Sequence, residues 1–252
     1  MMKRFSAAVA FFCLAILPVL AQEGPQLYNM NFNTWSRSGV TWNPFPKDAA
    51  GRQRTWDTAN KGLSILGMNS TVPEEEHVAV KGGKAAKLVS RKVFGIFAAG
   101  SLYTGTFGGV VGTSGAKINF GVPFKGRPKS LSGYYHYLPG TVDYAKPPYL
   151  SMKGKTDVGK VDITLAAWAQ PKLVNTTKDE FSQDGDPDVI AAEIIYFRKA
   201  TNGYVRFEIP LNYKDDRIPS YVVITAASSA FGAYYTGSTD SVLYIDDLRF
   251  NY

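Results

Sequence analysis

The chain has 252 residues, of which 45% are hydrophobic, 13% aromatic and 19% charged. That is too aromatic and too weakly charged for a disordered chain. One cysteine and two histidines exclude a disulfide scaffold, a zinc finger, an iron–sulfur protein and a histidine-rich metal enzyme. The net charge of +7 comes from scattered Lys and Arg, which reads as solubility and not as nucleic-acid binding.

The chain opens on Lys3 and Arg4, followed by an apolar stretch from Phe5 to Leu20 that only Ser6 and Pro18 interrupt. Val19-Leu20-Ala21 then offers the small residues a signal peptidase reads. The pattern predicts a secretory signal peptide over residues 1–21, cleaved after Ala21. An uncleaved anchor is the alternative, but the apolar stretch is short for one and Pro18 breaks it. Cys13 lies inside the apolar stretch and Gln22 follows the cleavage site, so the cysteine of a lipoprotein is missing there. The expectation is an exported protein, periplasmic, cell-surface or extracellular, not a lipoprotein. It has no membrane insertion after cleavage and no disulfide.

Period two dominates the rest of the chain. Lys84–Ser90, Lys117–Phe120 and Ser130–Leu138 are rich in β-branched and aromatic residues and read as strands. Between them, Gly105–Gly112 is glycine-rich but lacks both phosphate-loop spacings, so a turn between strands is expected. In Val161–Trp168, strict alternation puts Val161, Ile163, Leu165 and Ala167 on one face, and Asp162, Thr164 and Trp168 on the other. Ile190–Phe197 and Tyr221–Ala226 are further strands. In Val205–Leu211 the apolar set is Val205, Phe207, Ile209 and Leu211. In the last strand, Val242–Phe250, alternation puts Leu248 and Phe250 on the face of Asp246. Gly, Pro, Asn and Asp punctuate the intervals, and no long amphipathic helix is evident. Sheets that each bury one face must pack on each other. The predicted fold is all-β, a jelly-roll β-sandwich of two antiparallel sheets, as a single domain over residues 22–252.

Few residues carry an obvious chemistry. His77 follows three glutamates in a polar loop, where a solvated face explains it. His136 sits in Tyr134-Tyr135-His136-Tyr137, and no nucleophile motif points to it as a base. The loop Asp184-Gly185-Asp186-Pro187-Asp188 departs from the calcium-loop pattern at its sixth and twelfth positions and reads as a charged turn. Asp246-Asp247 is more telling, because one of two adjacent strand residues must point inward. A buried carboxylate needs a cation or hydrogen-bond donors. Ca²⁺ ligation or hydrogen bonds to the N-terminal segment are the two options.

The aromatic content is the strongest bulk signal. Trp168 is the best outward candidate, since its partners in phase are Asp162 and Thr164. It occurs with Trp35, Trp42, Trp56, Tyr103, Tyr134, Tyr135, Tyr137, Tyr149, Tyr234 and Tyr235, and many of these must supply core.

Several segments, taken in order, resemble the Putative carbohydrate metabolism domain family of Bacteroidetes. They are Asn31-Phe32-Asn33-Thr34-Trp35, Thr55–Gly62, Gly83–Leu88, Ala98–Gly105 and Arg127–Tyr135 with Pro139-Gly140. Pro219-Ser220-Tyr221, Ser228–Gly232, Gly237 and Ser241–Leu248 complete the set. The resemblance covers Tyr28 to Tyr252 and implies a jelly roll similar to carbohydrate-binding modules. It also implies a structural calcium held by Asp246 first, then Asp247, near the N-terminal strand. Asn33 stands where some similar modules carry a Glu. No organic cofactor is implied.

Together these readings predict an exported, non-catalytic glycan-binding protein that takes part in polysaccharide capture or utilisation. One expected site is an aromatic platform of Trp168, Tyr135 and Tyr137 with Asp162 and Thr164 as polar partners. The other is a loop carrying Trp56, Asp57 and Asn60. The expected partner is a poly- or oligosaccharide, with a protein partner in a glycan-utilisation assembly as a further expectation and nucleic acid excluded. A glycoside hydrolase or lyase on a sandwich fold and a structural or adhesive surface protein are the alternatives.

Overall fold

The computed structural model describes residues 24–93, 95–112, 115–176 and 185–252. The expected signal peptide, with Cys13, and Asp184 lie outside the described residues. Strands follow one another as β1 (Ser36–Ser38), β2 (Thr41–Asn43), β3 (Trp56–Thr58), β4 (Thr71–Glu74), β5 (Ala85–Val89), β6 (Arg91–Val93) and β7 (Ile96–Ala98). Next come β8 (Ser101–Val111), β9 (Gly115–Phe120), β10 (Val122–Pro123), β11 (Ser130–Leu138) and β12 (Gly159–Ala166). The chain ends with β13 (Lys172–Asn175), β14 (Val189–Phe197), β15 (Val205–Pro210), β16 (Tyr221–Ala227) and β17 (Val242–Asn251). A single four-residue α-helix, α1 (Asn60–Leu63), interrupts the described strands.

Two antiparallel sheets carry the architecture, a jelly-roll β-sandwich. The five-stranded sheet runs β15-β11-β17-β5-β4, so the last strand fills its middle. The eight-stranded sheet runs β13-β9-β8-β16-β12-β14, with β10 on β16 and β3 on β8. Alternation places Leu131, Phe207, Ile209, Leu243, Ile245 and Leu88 on the inner face of the first sheet. Leu102, Val161, Ile163, Leu165, Val222 and Ile224 meet them from the second, all buried in one core. Each such side chain contributes about 1.5–3 kcal/mol by leaving water. Phe32 and Trp56 close one end of this core edge to face, centroids 5.2 Å apart.

Three expectations change. Gly105–Gly112 belongs to strand β8 and not to a turn. Gly105 lies against the neighbouring strand so closely that a Cβ would sit 2.1 Å from the Asn119 carbonyl oxygen, a contact only glycine permits. In β17 the pairing with β11 slips between Ser132 and Tyr134. Asp247, with φ of +47°, is the extra residue of this bulge. The slip reverses the alternation: Leu248 and Phe250 enter the core, whereas Asp246 pairs with Tyr134 on the outer face. The third change concerns Trp168. β12 ends at Ala166, and Trp168 keeps the face of Asp162 and Thr164, but that face is covered and not open to solvent. It packs into a second core with Tyr103, Phe120, Ala166, Val174, Val189 and Val223 on the far side of the eight-stranded sheet.

Candidate functional site

The residues expected to form a sugar platform are held inside the protein. Trp168 is 7% exposed, and its indole N–H donates to Asp186 at 3.1 Å. Asp162 is buried, accepts from the Thr225 hydroxyl at 2.7 Å and pairs with Lys160 at 2.8 Å. Thr164 is buried beside it. Tyr137 lies in the main core, where its hydroxyl donates to the Ser228 carbonyl at 3.0 Å. Tyr135 stacks on Phe197 with centroids 3.8 Å apart. Tyr135 and Tyr137 therefore face the core from the five-stranded sheet, and Trp168 lies beyond the other sheet.

The second expected set is also structural. Trp56 is buried and donates its indole N–H to the Tyr28 carbonyl at 2.9 Å. Asp57 accepts the N–H groups of Thr58 and Phe107, each at 2.9 Å, and the Lys61 ammonium at 3.2 Å. Asn60 uses its whole amide. It donates to the Trp42 and Thr71 carbonyls at 2.9 and 2.6 Å and accepts from Ser70 and Thr71 at 2.9 and 3.1 Å. Such saturation ties α1 to β4 and leaves nothing for a ligand. One relation does emerge: Asp57, Tyr103, Thr225 and Asp162 occupy a single rung across β3, β8, β16 and β12.

Asp246 is 2% exposed beneath the loop between β4 and β5. One oxygen accepts the Ala79 N–H and the other the Asp247 N–H, both at 2.8 Å. Burial pushes its carboxyl above the usual range, and these donors pull it part of the way back. The Asn33 side-chain oxygen accepts from Lys84 N–H at 2.6 Å, at the far end of the same loop. Asp247 is exposed. Each of the Asp246 and Asn33 oxygens that accepts a backbone N–H keeps a second lone pair. The N-terminal segment is tied to β17 by Gln26, whose amide exchanges two 2.8 Å bonds with the Phe250 backbone.

The outer face of the five-stranded sheet gathers what the sequence left apart. The alternation that sends Tyr135 and Tyr137 inward sends Tyr134 and His136 outward. His136 pairs across the ladder with Tyr244, and the rings stack at 5.3 Å and 21°. His77, from the loop above, tilts against the same Tyr244 ring at 5.8 Å. Both histidines of the chain thus meet over one tyrosine. Lys87, opposite Tyr244 on β5, places its ammonium 5.3 Å over that ring and pairs with Glu74 at 3.1 Å. The Tyr204 hydroxyl holds the loop by donating to the His77 carbonyl at 2.9 Å.

His77, His136 and Tyr204 border an open groove of about 600 Å³, lined also by Glu76, Thr201 and Asn202 among others. A second groove of about 370 Å³ lies farther along β11, between Tyr134, Arg206, Asp247 and Arg249.

The charges of the first groove are fixed by its neighbours. Burial works against the Glu74 carboxylate, but the N–H groups of Glu76 and His77 and the Lys87 ammonium outweigh it and hold the carboxyl below its usual range. Burial likewise opposes the Lys87 charge, and Glu74 and Tyr244 outweigh it, so the ammonium titrates above its usual range. For His136, burial lowers the proton affinity, a Gly203 hydrogen bond opposes that, and nearby His77 adds to the lowering. The Thr201 hydroxyl accepts from Tyr137 N–H at 3.0 Å and stands 2.7 Å from His136 Nδ1. The hydroxyl can serve as donor or acceptor to Nδ1, according to the ring tautomer. His136 is tied to Thr201 at its Nδ1, and His77, Glu76 and Asn202 also line the groove. Their joint placement depends on a loop closing back over a sheet, which no sequence spacing announces.

The matrix of similarities agrees with this architecture. A solved structure described as a putative glycoside hydrolase from Bacteroides thetaiotaomicron is 21% identical, with a TM-score of 0.70, over 91% of this chain and 72% of that one. Another described in the same words, from Bacteroides vulgatus, is 21% identical with a TM-score of 0.66, over 88% of this chain and 96% of that one. At this identity the likeness is one of fold. No curated protein matches the chain. The model of the Putative carbohydrate metabolism domain matches residues 31–251, and the chain belongs to that family.

Proposed function

We propose that the protein is exported and binds a carbohydrate, without cleaving it, in the groove beneath His77. The single observation that carries this reading is the groove itself. Its wall carries the His136 and Tyr204 rings, 6.1 Å apart, with buried Tyr244 stacked against His136, and its rim carries Glu76, His77 and Asn202. Flat aromatic surface suits the C–H face of a sugar ring, and a few placed polar groups suit its hydroxyls. Family membership supports a carbohydrate ligand, and the basic, apolar N-terminal stretch supports export.

Binding is favoured over hydrolysis by how the nearby acids are used. A glycosidase needs two carboxyl groups flanking one bond at roughly 5–10 Å. Asp246 commits both oxygens to backbone N–H groups, and Glu74 commits one to the 75–77 backbone and the other to Lys87. The hydrolase reading rests on the descriptions of the two similar structures. Titration calorimetry of the full chain against a panel of oligosaccharides tests the proposal. We expect a ligand with Kd tighter than about 1 mM, weakened by His77→Ala and Asn202→Ala. Absence of any ligand, or affinity unchanged in both variants, overturns it. Turnover that Glu76→Gln abolishes would replace it with the hydrolase.

A further inference from the structure

One end of the sandwich carries an aromatic surface that the core does not use. Three connections meet there: the β6–β7 hairpin, the long segment between β11 and β12, and the segment between β16 and β17. Backbone bonds between Tyr144 and Gly237 in both directions, at 3.1 and 3.0 Å, join the last two. Below them, the buried Asp157 carboxylate accepts from Ser241 at 2.7 Å, from Ser238 N–H at 2.8 Å and from Ser229. The loops therefore stand on a fixed base.

Above this base, half-exposed rings are packed together. Tyr149 lies 4.4 Å from Phe231 and 4.8 Å, edge to face, from Tyr234. Tyr144 stacks over buried Phe97 at 5.9 Å. Tyr235 holds a φ of +52°, which bulky residues seldom adopt. The turn that sets it keeps two adjacent tyrosines at the surface. Four tyrosines here keep part of their rings in water, where small polar residues would close the same loops.

Cations frame the surface. The Lys92 ammonium sits 5.3 Å over Tyr144 and the Lys146 ammonium 5.6 Å over Tyr235. Exposed Lys153 and Lys155 follow in the same segment. The nearest acid of that segment, Asp143, is engaged by the Thr239 hydroxyl and N–H at 2.7 and 3.1 Å. Asp143 attracts the Lys92 ammonium, but the ammonium groups outnumber the one exposed acid of that segment, and rings with polar tips beside such an excess suit a sugar ring that carries a negative charge.

We propose that this end is a second carbohydrate contact, selective for an anionic sugar, in which the Tyr149 and Tyr234 rings supply apolar surface and Lys92 and Lys146 meet the charge. The inference rests on the reading that the protein binds carbohydrate, but it concerns a site separate from the groove.

The test is calorimetry of the full chain with trigalacturonic acid, a sulfated galactan oligosaccharide and a neutral galactan oligosaccharide. At least one anionic probe should bind about tenfold or more tighter than the neutral one, and which one does identifies the charged group as carboxylate or sulfate. Lys92→Ala with Lys146→Ala should remove that preference, and Tyr149→Ala with Tyr234→Ala should weaken binding of the preferred probe about tenfold. His77→Ala should leave the preference intact. Equal binding of charged and neutral probes overturns the proposal, and so does a lysine double variant that keeps the preference. An anionic preference lost only in His77→Ala moves the anion to the groove and overturns this site alone. Silence with all three probes overturns this site, while the oligosaccharide panel decides the groove separately. Urea midpoints of the variants separate lost contact from lost fold.

Discussion

The Asp246 carboxylate reaches across 167 positions of sequence to accept the Ala79 N–H at 2.8 Å. This bond is what presses the loop between β4 and β5 onto the outer face of the five-stranded sheet. It also sets the height of His77 above Tyr244.

Asp246→Ala should cost about 2–3 kcal/mol, because buried N–H groups lose a charged acceptor. Urea unfolding measures the loss, and hydrogen exchange should rise at Ala79 first. An unchanged exchange rate at Ala79 would mean that the loop is held by Tyr204 and Asn33 alone.

His136 gives a pH dependence with a definite sign. Its folded-state proton affinity is depressed, chiefly by burial. The unfolded chain therefore binds the proton first as pH falls. Stability should be full above the ordinary histidine value of about 6.5 and should decline below it, until the depressed folded value is passed. A His136→Gln variant should lose less stability than the wild type between pH 7 and pH 5 in urea titrations. An equal or larger loss in the variant would refute the assignment.

Asp157 acts in the opposite sense. Burial raises its carboxyl, and the four donors around it only partly offset that. The folded state thus holds the proton more tightly than the unfolded state. This contribution is fully present below the ordinary Asp value of about 3.9 and is lost as pH rises through the raised value. Relative to Asp157→Asn, the wild type should gain stability as pH is lowered from 7 toward 4. The comparison of urea midpoints at the two pH values decides it, and a gap that moves the other way contradicts the sign.

Trp168→Ala should behave as a core truncation and not as a ligand-site change. Its ring packs among Tyr103, Phe120 and Val174, so the expected cost is about 3–5 kcal/mol. Binding per folded molecule should be unaltered. A variant as stable as the wild type but unable to bind would restore Trp168 as a sugar contact.

Gly133→Ala should destabilise by about 1–3 kcal/mol through overpacking. A Cβ there would stand 2.5 Å from Leu248 Cδ2, opposite the bulge that turns Leu248 inward. Thermal unfolding measures this directly, and a neutral result would mean that Leu248 can change rotamer at no cost.

The fold was legible where one face of a strand is wet and the other dry. β15 is such a case, with Phe207 and Ile209 buried between exposed Arg206 and Glu208. Legibility failed in two ways. In β12, Asp162 and Thr164 face outward from the main core yet are buried, so polarity no longer marks solvent. In β17, one inserted residue inverts the phase, and alternation alone cannot register an insertion. The groove was readable only in pieces. Period two correctly turns His136 away from Tyr135, but its meeting with His77 depends on the distant carboxylate of Asp246.

The central place of β17 in its sheet has a consequence for biogenesis. A ribosome must release Val242–Asn251 before β11 and β5 can acquire their shared neighbour. Until then, two unsatisfied strand edges face each other across a gap, which makes the nascent polypeptide a client for holding factors. Closure of the five-stranded sheet is thus deferred until β17 has emerged.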